Sequence, residues 1–501
     1  MIASDKINFR KGDIMRKLSV LAILMIILFV FTACGTNESE SEKSATPTQV
    51  QVTETQLPDD GVVDISLSDK EILVDGKTAE SDSSGAVYTA NDIVYYEEGK
   101  DFTYGEGSAE EAHSAKEAKA HTVVHITKAG EYKLSGKLSK GQIAVDLGED
   151  AKENPDAVVT LVLNDVDITC DVAPAIIFYN VYECSNSDSE TATKDVDTSK
   201  AGANVIVADE TENTVNGSYV AKIYKPDSVV LSDNGNEVED ASKLHKYDGA
   251  FYSKMSMNVN GGEKGTGVLT INAENEGLDS EVHLTINGGN INIYSGNDGI
   301  NTNEDGVSVT TINGGNLNIK VTGETGEGDG IDSNGWLVIN GGKLTAQACS
   351  VSADAGIDSD MGIHINGGTV VASGSMLDRI EDGGQTCVTF NLAQKQSGKK
   401  LSIKNSSGDV VAEIKPENDC SVILYSSPDL DSEDTYSLYN GDTLVAQSGS
   451  GFMGGPGMPP PGGEPPQGGM QPPQGGMEPP QGGMEPPGGR VPPEGEPPHW
   501  N

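Results

Sequence analysis

Between Leu269 and Ile365 aliphatic residues recur at every second position in short runs: Leu269-Thr-Ile271, Leu284-Thr-Ile286, Leu337-Val-Ile339 and Ile363-His-Ile365. A period of two turns one face of each run toward a core and the other toward solvent, which predicts β-strands. The tripeptide Asn-Gly-Gly comes back at Asn260, Asn287, Asn313, Asn340 and Asn366, in steps of 27, 26, 27 and 26 residues. Further runs follow it, at Ile291-Asn-Ile293, Leu317-Asn-Ile319 and Leu344-Thr-Ala346, so the tripeptide marks a corner between two strand faces. A constant period of this size predicts a solenoid, in which each repeat lies about 4.8 Å from the next and equivalent side chains form columns. Glycine reaches positive φ freely and asparagine tolerates it, which suits both to a repeated corner; stacked asparagine amides can also bond to one another.

A second column is predicted from Glu276-Gly-Leu-Asp279, Asp298-Gly-Ile-Asn301, Asp329-Gly-Ile-Asp332 and Ala355-Gly-Ile-Asp358, with Gly249-Ala-Phe-Tyr252 in the same phase. If the aliphatic residue points inward, the residue after it points outward. That gives a surface column of Tyr252, Asp279, Asn301, Asp332 and Asp358.

Upstream, strands are expected at Val123 to Ile126, Tyr132 to Leu134 and Ile143 to Leu147, and two more around a corner between Val158 and Ile168. Polar stretches at Ser185 to Lys200 and Lys225 to Lys246 read as insertions, which in repeat proteins project from one face, often the binding face. Residues 61–120 form a lead-in with a strand-like run at Ile93 to Tyr96 and a helix-prone Ala109 to Ala120. After the repeats, Val388 to Leu392, Lys400 to Lys404, Val410 to Ile414, Ser421 to Tyr425 and Thr435 to Ala446 predict a small antiparallel domain that covers the open end.

The amino end carries targeting information. Met15-Arg-Lys opens a basic region, Leu18 to Phe31 is apolar, and Thr32-Ala33-Cys34-Gly35 follows; this resembles a bacterial lipoprotein signal, which implies cleavage before Cys34 and lipid on its thiol, with ordinary signal cleavage as the alternative. Met15 is the better start. The expected organisation is a signal peptide at 1–33, a disordered tether at 34–60, the lead-in at 61–120, a β-helix at 121–384, the small antiparallel domain at 385–449 and a Pro/Gly/Met-rich disordered tail at 450–501. The expected location is the outer face of the cell membrane, with contact to the bilayer through the lipid alone.

Composition sharpens this picture. Aromatics make up 5% of the 501 residues, glycine is present 61 times, and the formal net charge is -44. These values suit an all-β repeat protein, exclude a nucleic-acid binder, and require a cation wherever a polyanion is to be held. Beyond Cys34, five cysteines remain with no metal-binding spacing; a bridge between Cys170 and Cys184 is conceivable but unsupported.

The order GQIAVDL, VTLVLNDVDIT, DGAFYSK, LTINGG, DGI and the closing strand module resembles a family of bacterial surface carbohydrate-binding lipoproteins, over roughly residues 121 to 450. The resemblance implies a right-handed parallel β-helix similar to that of pectate lyases, calcium, and non-catalytic binding of polygalacturonate and cellulose. Tyr252 and Asn301 break the run of acids in the second column.

The chemistry of that column also stands by itself. Two carboxylates about 5 Å apart repel by roughly 3 kcal/mol at an effective dielectric of 20. Asp279, Asp298, Asn301, Asp329, Asp332 and Asp358 are therefore candidate ligands of Ca²⁺, a hard ion that takes six to eight oxygens. The alternative is that they only form Asx turns at corners. The GGxGxD calcium repeat is excluded because its period is nine. Trp336 and Tyr252 are the candidate substrate-stacking residues, against a half-buried edge role for Trp336.

The reading is a monomeric, non-catalytic binder of acidic, pectin-like polysaccharide, with cellulose as a further candidate. A polysaccharide lyase or hydrolase is the first alternative, with Asp298, Asp329 and Asp332 available as carboxylates and Arg379 reading as an ion-pair partner rather than a base. A structural adhesin or wall spacer is the second.

Overall fold

A computed structural model describes residues 61–185 and 188–448. The predicted signal peptide, Cys34, the tether and the Pro/Gly/Met tail lie outside the described residues. Among the described residues the chain is all-β: apart from one helical turn at Ala115–Ala118 and two 3-10 turns, every regular element is a strand.

Strands one repeat apart pair in parallel. One ladder runs through Val268–Ala273, Asn290–Ser295, Asn316–Val321, Lys343–Gln347 and Thr369–Gly374. A second runs through Met257–Gly261, His283–Ile286, Val309–Ile312, Trp336–Ile339 and Gly362–Ile365. The Gly-aliphatic-Asp segments form a third, through Gly249–Ser253, Glu276–Ser280, Ile300–Thr302 and Ile331–Ser333. The first two ladders belong to a mixed 19-stranded sheet and the third to an eight-stranded sheet. Their inward aliphatic residues superimpose: Leu269, Ile291, Leu317, Leu344 and Val370 stand in one buried column, and Leu278, Ile300 and Ile331 in another.

The Asn-Gly-Gly corner divides its tasks among three residues. The asparagine amides form a continuous ladder, in which Asn287, Asn313, Asn340 and Asn366 each donate from Nδ2 to Oδ1 of the asparagine one repeat earlier, all at 2.9 Å. The first glycine is required by close approach, since a Cβ on Gly341 would lie 2.6 Å from the Asn313 carbonyl oxygen. Positive φ falls on the second glycine, at +91° for Gly315 and +79° for Gly342, and not on the asparagine as its tolerance for that region suggested.

The first ladder is paired at its last strand. Thr369–Gly374 pairs antiparallel with Cys420–Ser426, which also pairs with Cys387–Gln396, while Leu401–Lys404, Val410–Ile414, Ser437–Asn440 and Thr443–Gln447 form a separate antiparallel sheet. At the other end Val62–Leu67 pairs in parallel with Gly130–Leu138, and Val87–Ala90 pairs antiparallel with Thr122–Ile126. Beyond the last strands of the other two ladders, Ile331–Ser333 and Gly362–Ile365, the N–H groups of Asp358, Asp360, Glu381 and Gln385 donate to edge carbonyls, which blunts those edges without adding a strand.

Three local expectations are corrected. Ile93 to Tyr96 forms no strand; Tyr96 instead binds the loop at His113, whose N–H donates to its carbonyl at 2.8 Å. The helix expected over Ala109 to Ala120 begins only at Ala115, because Ser114 and Glu117 make a capping box there. The two strands expected between Val158 and Ile168 are one strand, Val159–Cys170, whose corner is taken by Asp165 at φ +61°. Cys170 and Cys184 are both unbridged.

Two substitutions separate the roles of ladder and close approach. Asn313→Ala interrupts a solvent-accessible amide ladder and is expected to lower unfolding free energy by about 1 kcal/mol. Gly299→Ala places a Cβ 2.1 Å from Ile319 Cγ2 and 2.6 Å from the Gly330 carbonyl oxygen. It is expected to cost about 3 kcal/mol. Urea unfolding with an unchanged slope checks both.

Candidate metal and glycan site

In the third ladder Tyr252, Asp279, Asn301 and Asp332 stand in register, and the Asp358 N–H continues the pairing by donating to the Ile331 carbonyl at 2.7 Å. The expected column is present, but it is not on the surface. Tyr252 is 1% exposed, Asp279 0% and Asn301 6%, while Asp332 and Asp358 are half-buried.

The cover comes from the polar stretch read as an insertion. Val220–Tyr224 and Lys243–Tyr247 pair antiparallel, and the second of these strands brings Tyr247 against Tyr252, with ring centroids 5.2 Å apart, and against Tyr179 at 5.5 Å. The Tyr252 hydroxyl donates to Glu281. Tyr252 is therefore no stacking platform for a sugar, because both its ring and its hydroxyl are already engaged.

Burial changes the chemistry of the acids beneath. Asp248, Glu276 and Asp279 each present a carboxylate oxygen, and the three oxygens lie within 4.8 Å of one another. Some of their capacity is met: Lys246 Nζ lies 2.6 Å from Asp248, Asn301 Nδ2 donates to Glu276 at 3.1 Å, and Asn303 Nδ2 donates to Asp279 at 2.7 Å. Yet Glu276 Oε2, Asp279 Oδ2 and Asn301 Oδ1 are buried with no hydrogen-bond partner. Burial, and then the neighbouring carboxylates, push Glu276 and Asp279 well above the usual carboxylate range; burial also raises Asp248, against the pull of Lys246.

Farther along, the acids are handled differently. Asp298 Oδ1 accepts from the Asp329 N–H at 2.7 Å, and Asp329 Oδ1 accepts from the Ala355 N–H at 2.5 Å, so each spends one oxygen tying its repeat to the next. Burial raises Asp298 well above its ordinary value, Asp329 to about 8, and Asp332 and Asp358 to about 6. Among the described residues, Asp248, Glu276 and Asp279 are the group in which three acids bring an oxygen each together.

Of the six predicted ligands, Asp279 is a member of that group and Asn301 adjoins it through Glu276, whereas Asp298, Asp329, Asp332 and Asp358 continue away from it. Asp248 and Glu276 were not singled out from sequence. Their signal was present, since an acid precedes the glycine at 248, 276, 298 and 329.

Above Tyr252 and Glu281 lies a cleft of about 610 Å³ whose rim carries Lys152, Lys243, Lys246 and Lys254. Lys243 pairs with Glu281 at 2.9 Å and Lys246 with Asp248, but Lys152 and Lys254 have no carboxylate partner among the described residues. Trp336 sits half-buried on the second ladder between Val309 and Gly362. Arg379 pairs with Glu381 at 2.6 Å, as its acidic neighbours suggested.

The family model described as a carbohydrate-binding domain-containing protein matches residues 120–451. Among solved structures, the chain is similar to a polysaccharide lyase-like protein from C. thermocellum, in a gadolinium derivative. The identity is 20%, the TM-score is 0.35, and the match covers 61% of this chain and 88% of the other. No curated protein matches the chain.

The raised carboxylates set a pH dependence with an unusual sign. Between their unfolded values near 4 and their raised folded values, the folded state binds more protons than the unfolded chain, so unfolding free energy falls as pH rises through this window. Metal-stripped protein is expected to resist urea better at about pH 5.5 than at about pH 8. Asp279→Asn, which removes one of the buried charges, is expected to reduce that difference.

Proposed function

The chain belongs to the family of carbohydrate-binding domain-containing proteins, and from that premise we propose that it holds acidic, pectin-like polysaccharide at the cell surface, without cleaving it, beside bound calcium. The observation that carries the calcium reading is the set of buried, unpartnered oxygens on Glu276, Asp279 and Asn301. A buried polar atom with no partner costs free energy, and a buried carboxylate costs more. A hard dication would take a carboxylate oxygen each from Asp248, Glu276 and Asp279, with Asn301 beside them. The donors are oxygens only, with no imidazole or thiolate in the group, which suits calcium better than zinc.

The in-register parallel ladders support a right-handed parallel β-helix as the scaffold that stacks these donors. On this reading Lys152 and Lys254, at the rim of the cleft, receive the sugar carboxylates that the rest of this anionic chain repels. The signal at Met15 to Cys34 would place the domain on the outer face of the membrane, held by lipid at Cys34.

Binding is favoured over lyase chemistry by the state of the nearest lysine. Burial alone would lower the Lys246 ammonium, but Asp248 beside it, with Glu276 and Asp279, holds it above the ordinary lysine range. A lysine kept protonated is a poor base for abstracting the proton beside a uronate carboxylate.

Calcium titrated into chelator-stripped protein is expected to bind with measurable heat and, at about 100 times its dissociation constant, to stabilise the fold by about 2.7 kcal/mol. Asp279→Asn is expected to weaken calcium at least about tenfold while raising the stability of the metal-free protein, because it removes a charge that is uncompensated only without metal. Polygalacturonate is expected to retain the protein in calcium and release it in chelator. Capture indifferent to chelator would remove the metal from the account, and growth of unsaturated-product absorbance would favour a lyase.

A further inference from the structure

The outward side chains of the first ladder form a column of their own. Thr169, Asn216, Asn272, Tyr294 and Lys320 stand in register on five successive strands. Tyr294 is out of keeping with its neighbours. It is 38% exposed, and among the described aromatic residues only it and Phe102 are exposed. Its hydroxyl makes no hydrogen bond among the described residues.

The amides beside it are ordered. Asn272 Nδ2 donates to Asn216 Oδ1 at 2.8 Å, and Asn216 Nδ2 donates to Thr169 Oγ1 at 3.1 Å. All the donation runs away from Tyr294, which leaves Asn272 Oδ1 as an acceptor next to the ring. A groove of about 280 Å³ follows this row, walled by Asp171, Glu274 and Glu324. Asp171 is held by Lys140 at 2.9 Å, and Glu274 accepts from Ser218 Oγ at 2.6 Å. Lys320 is drawn off to Glu417 at 3.2 Å, so the groove has no free ammonium from this row.

We propose that this groove is a glycan subsite for a neutral polysaccharide, with the Tyr294 ring as its stacking platform. A pyranose ring presents C–H faces that pack on an aromatic face and a rim of hydroxyls that donate to amide and carboxylate oxygens. The Tyr294 hydroxyl and Asn272 Oδ1 supply the orienting contacts, and the cavity has room for one or two sugar rings. The acidic walls repel a uronate, so the subsite selects against the ligand assigned to the calcium-bearing ladder. The inference rests on the carbohydrate-binding reading but requires neither calcium nor an acidic ligand.

The test is affinity electrophoresis in chelator, in gels containing soluble β-1,4-glucan, glucomannan, xylan or polygalacturonate, with wild type, Tyr294→Ala and Tyr294→Phe. At least one neutral polysaccharide is expected to retard the wild type. Tyr294→Ala is expected to weaken that binding about tenfold or more, with an unchanged melting temperature, and Tyr294→Phe to stay within a few-fold. The inference is overturned if no neutral polysaccharide retards the wild type, or if Tyr294→Ala is retarded equally. Because calcium is absent throughout, polygalacturonate is expected not to retard the wild type; its retardation in chelator would count against the calcium reading and would leave the Tyr294 result standing.

Discussion

In-register parallel pairing places every side chain about 4.8 Å from its equivalent in the next repeat, and the rest of the structure follows from what each residue type does at that distance. Aliphatic residues gain, because like packs on like without a gap, as in the column from Leu269 to Val370. Asparagine gains, because one amide carries both donor and acceptor and can bond to a copy of itself. A carboxylate loses, having acceptors only and a charge that its copy repels. The same register that makes Asn260 to Asn366 a ladder makes the acids from Glu276 to Asp358 a problem.

The chain answers that problem in two ways. Asp298 and Asp329 turn an oxygen onto the backbone N–H of the following repeat, which converts a repelling group into a tie between repeats. Asp248, Glu276 and Asp279 are instead roofed by the hairpin that carries Tyr247, which deepens their desolvation rather than relieving it. Lys246, on that same hairpin, offsets one charge of the three. Replacing such a cluster with apolar residues would stabilise the fold. Its presence where the core is otherwise aliphatic is what makes the unpartnered oxygens candidate ligands.

How far the sequence disclosed this depends on the range of the interactions involved. The period, the strands and the amide ladder are local facts repeated many times, and Asn-Gly-Gly spacing reveals them directly. The phase of Tyr252, Asp279, Asn301 and Asp332 was legible for the same reason. Their burial was not, because the roof arrives from a polar stretch whose alternation is too irregular to announce a hairpin. Asp248 and Glu276 were hidden by uneven steps: the acid before the glycine recurs at 28, 22 and 31 residues, which the corner period of 26 to 27 does not anticipate. Tyr294 stood in plain view as the aromatic residue in Ile291-Asn-Ile-Tyr-Ser295, yet only coordinates separate a ring that leans into solvent from one that packs.

The two faces also differ in how freely they can change. An acid in the third ladder is bound to its neighbours by repulsion, by shared hydrogen bonds and by the hairpin above, so a substitution there alters the stability of several repeats at once. An outward residue of the first ladder is held mainly by the residues above and below it, as Asn272 is by Asn216, and repeat architecture makes such positions nearly independent. Tyr294 occupies a position that holds asparagine one repeat earlier and lysine one repeat later. A single residue in a polar column is enough to create an aromatic surface. Surface chemistry on this face is therefore separable from the fold, whereas on the acidic face the two are bound together.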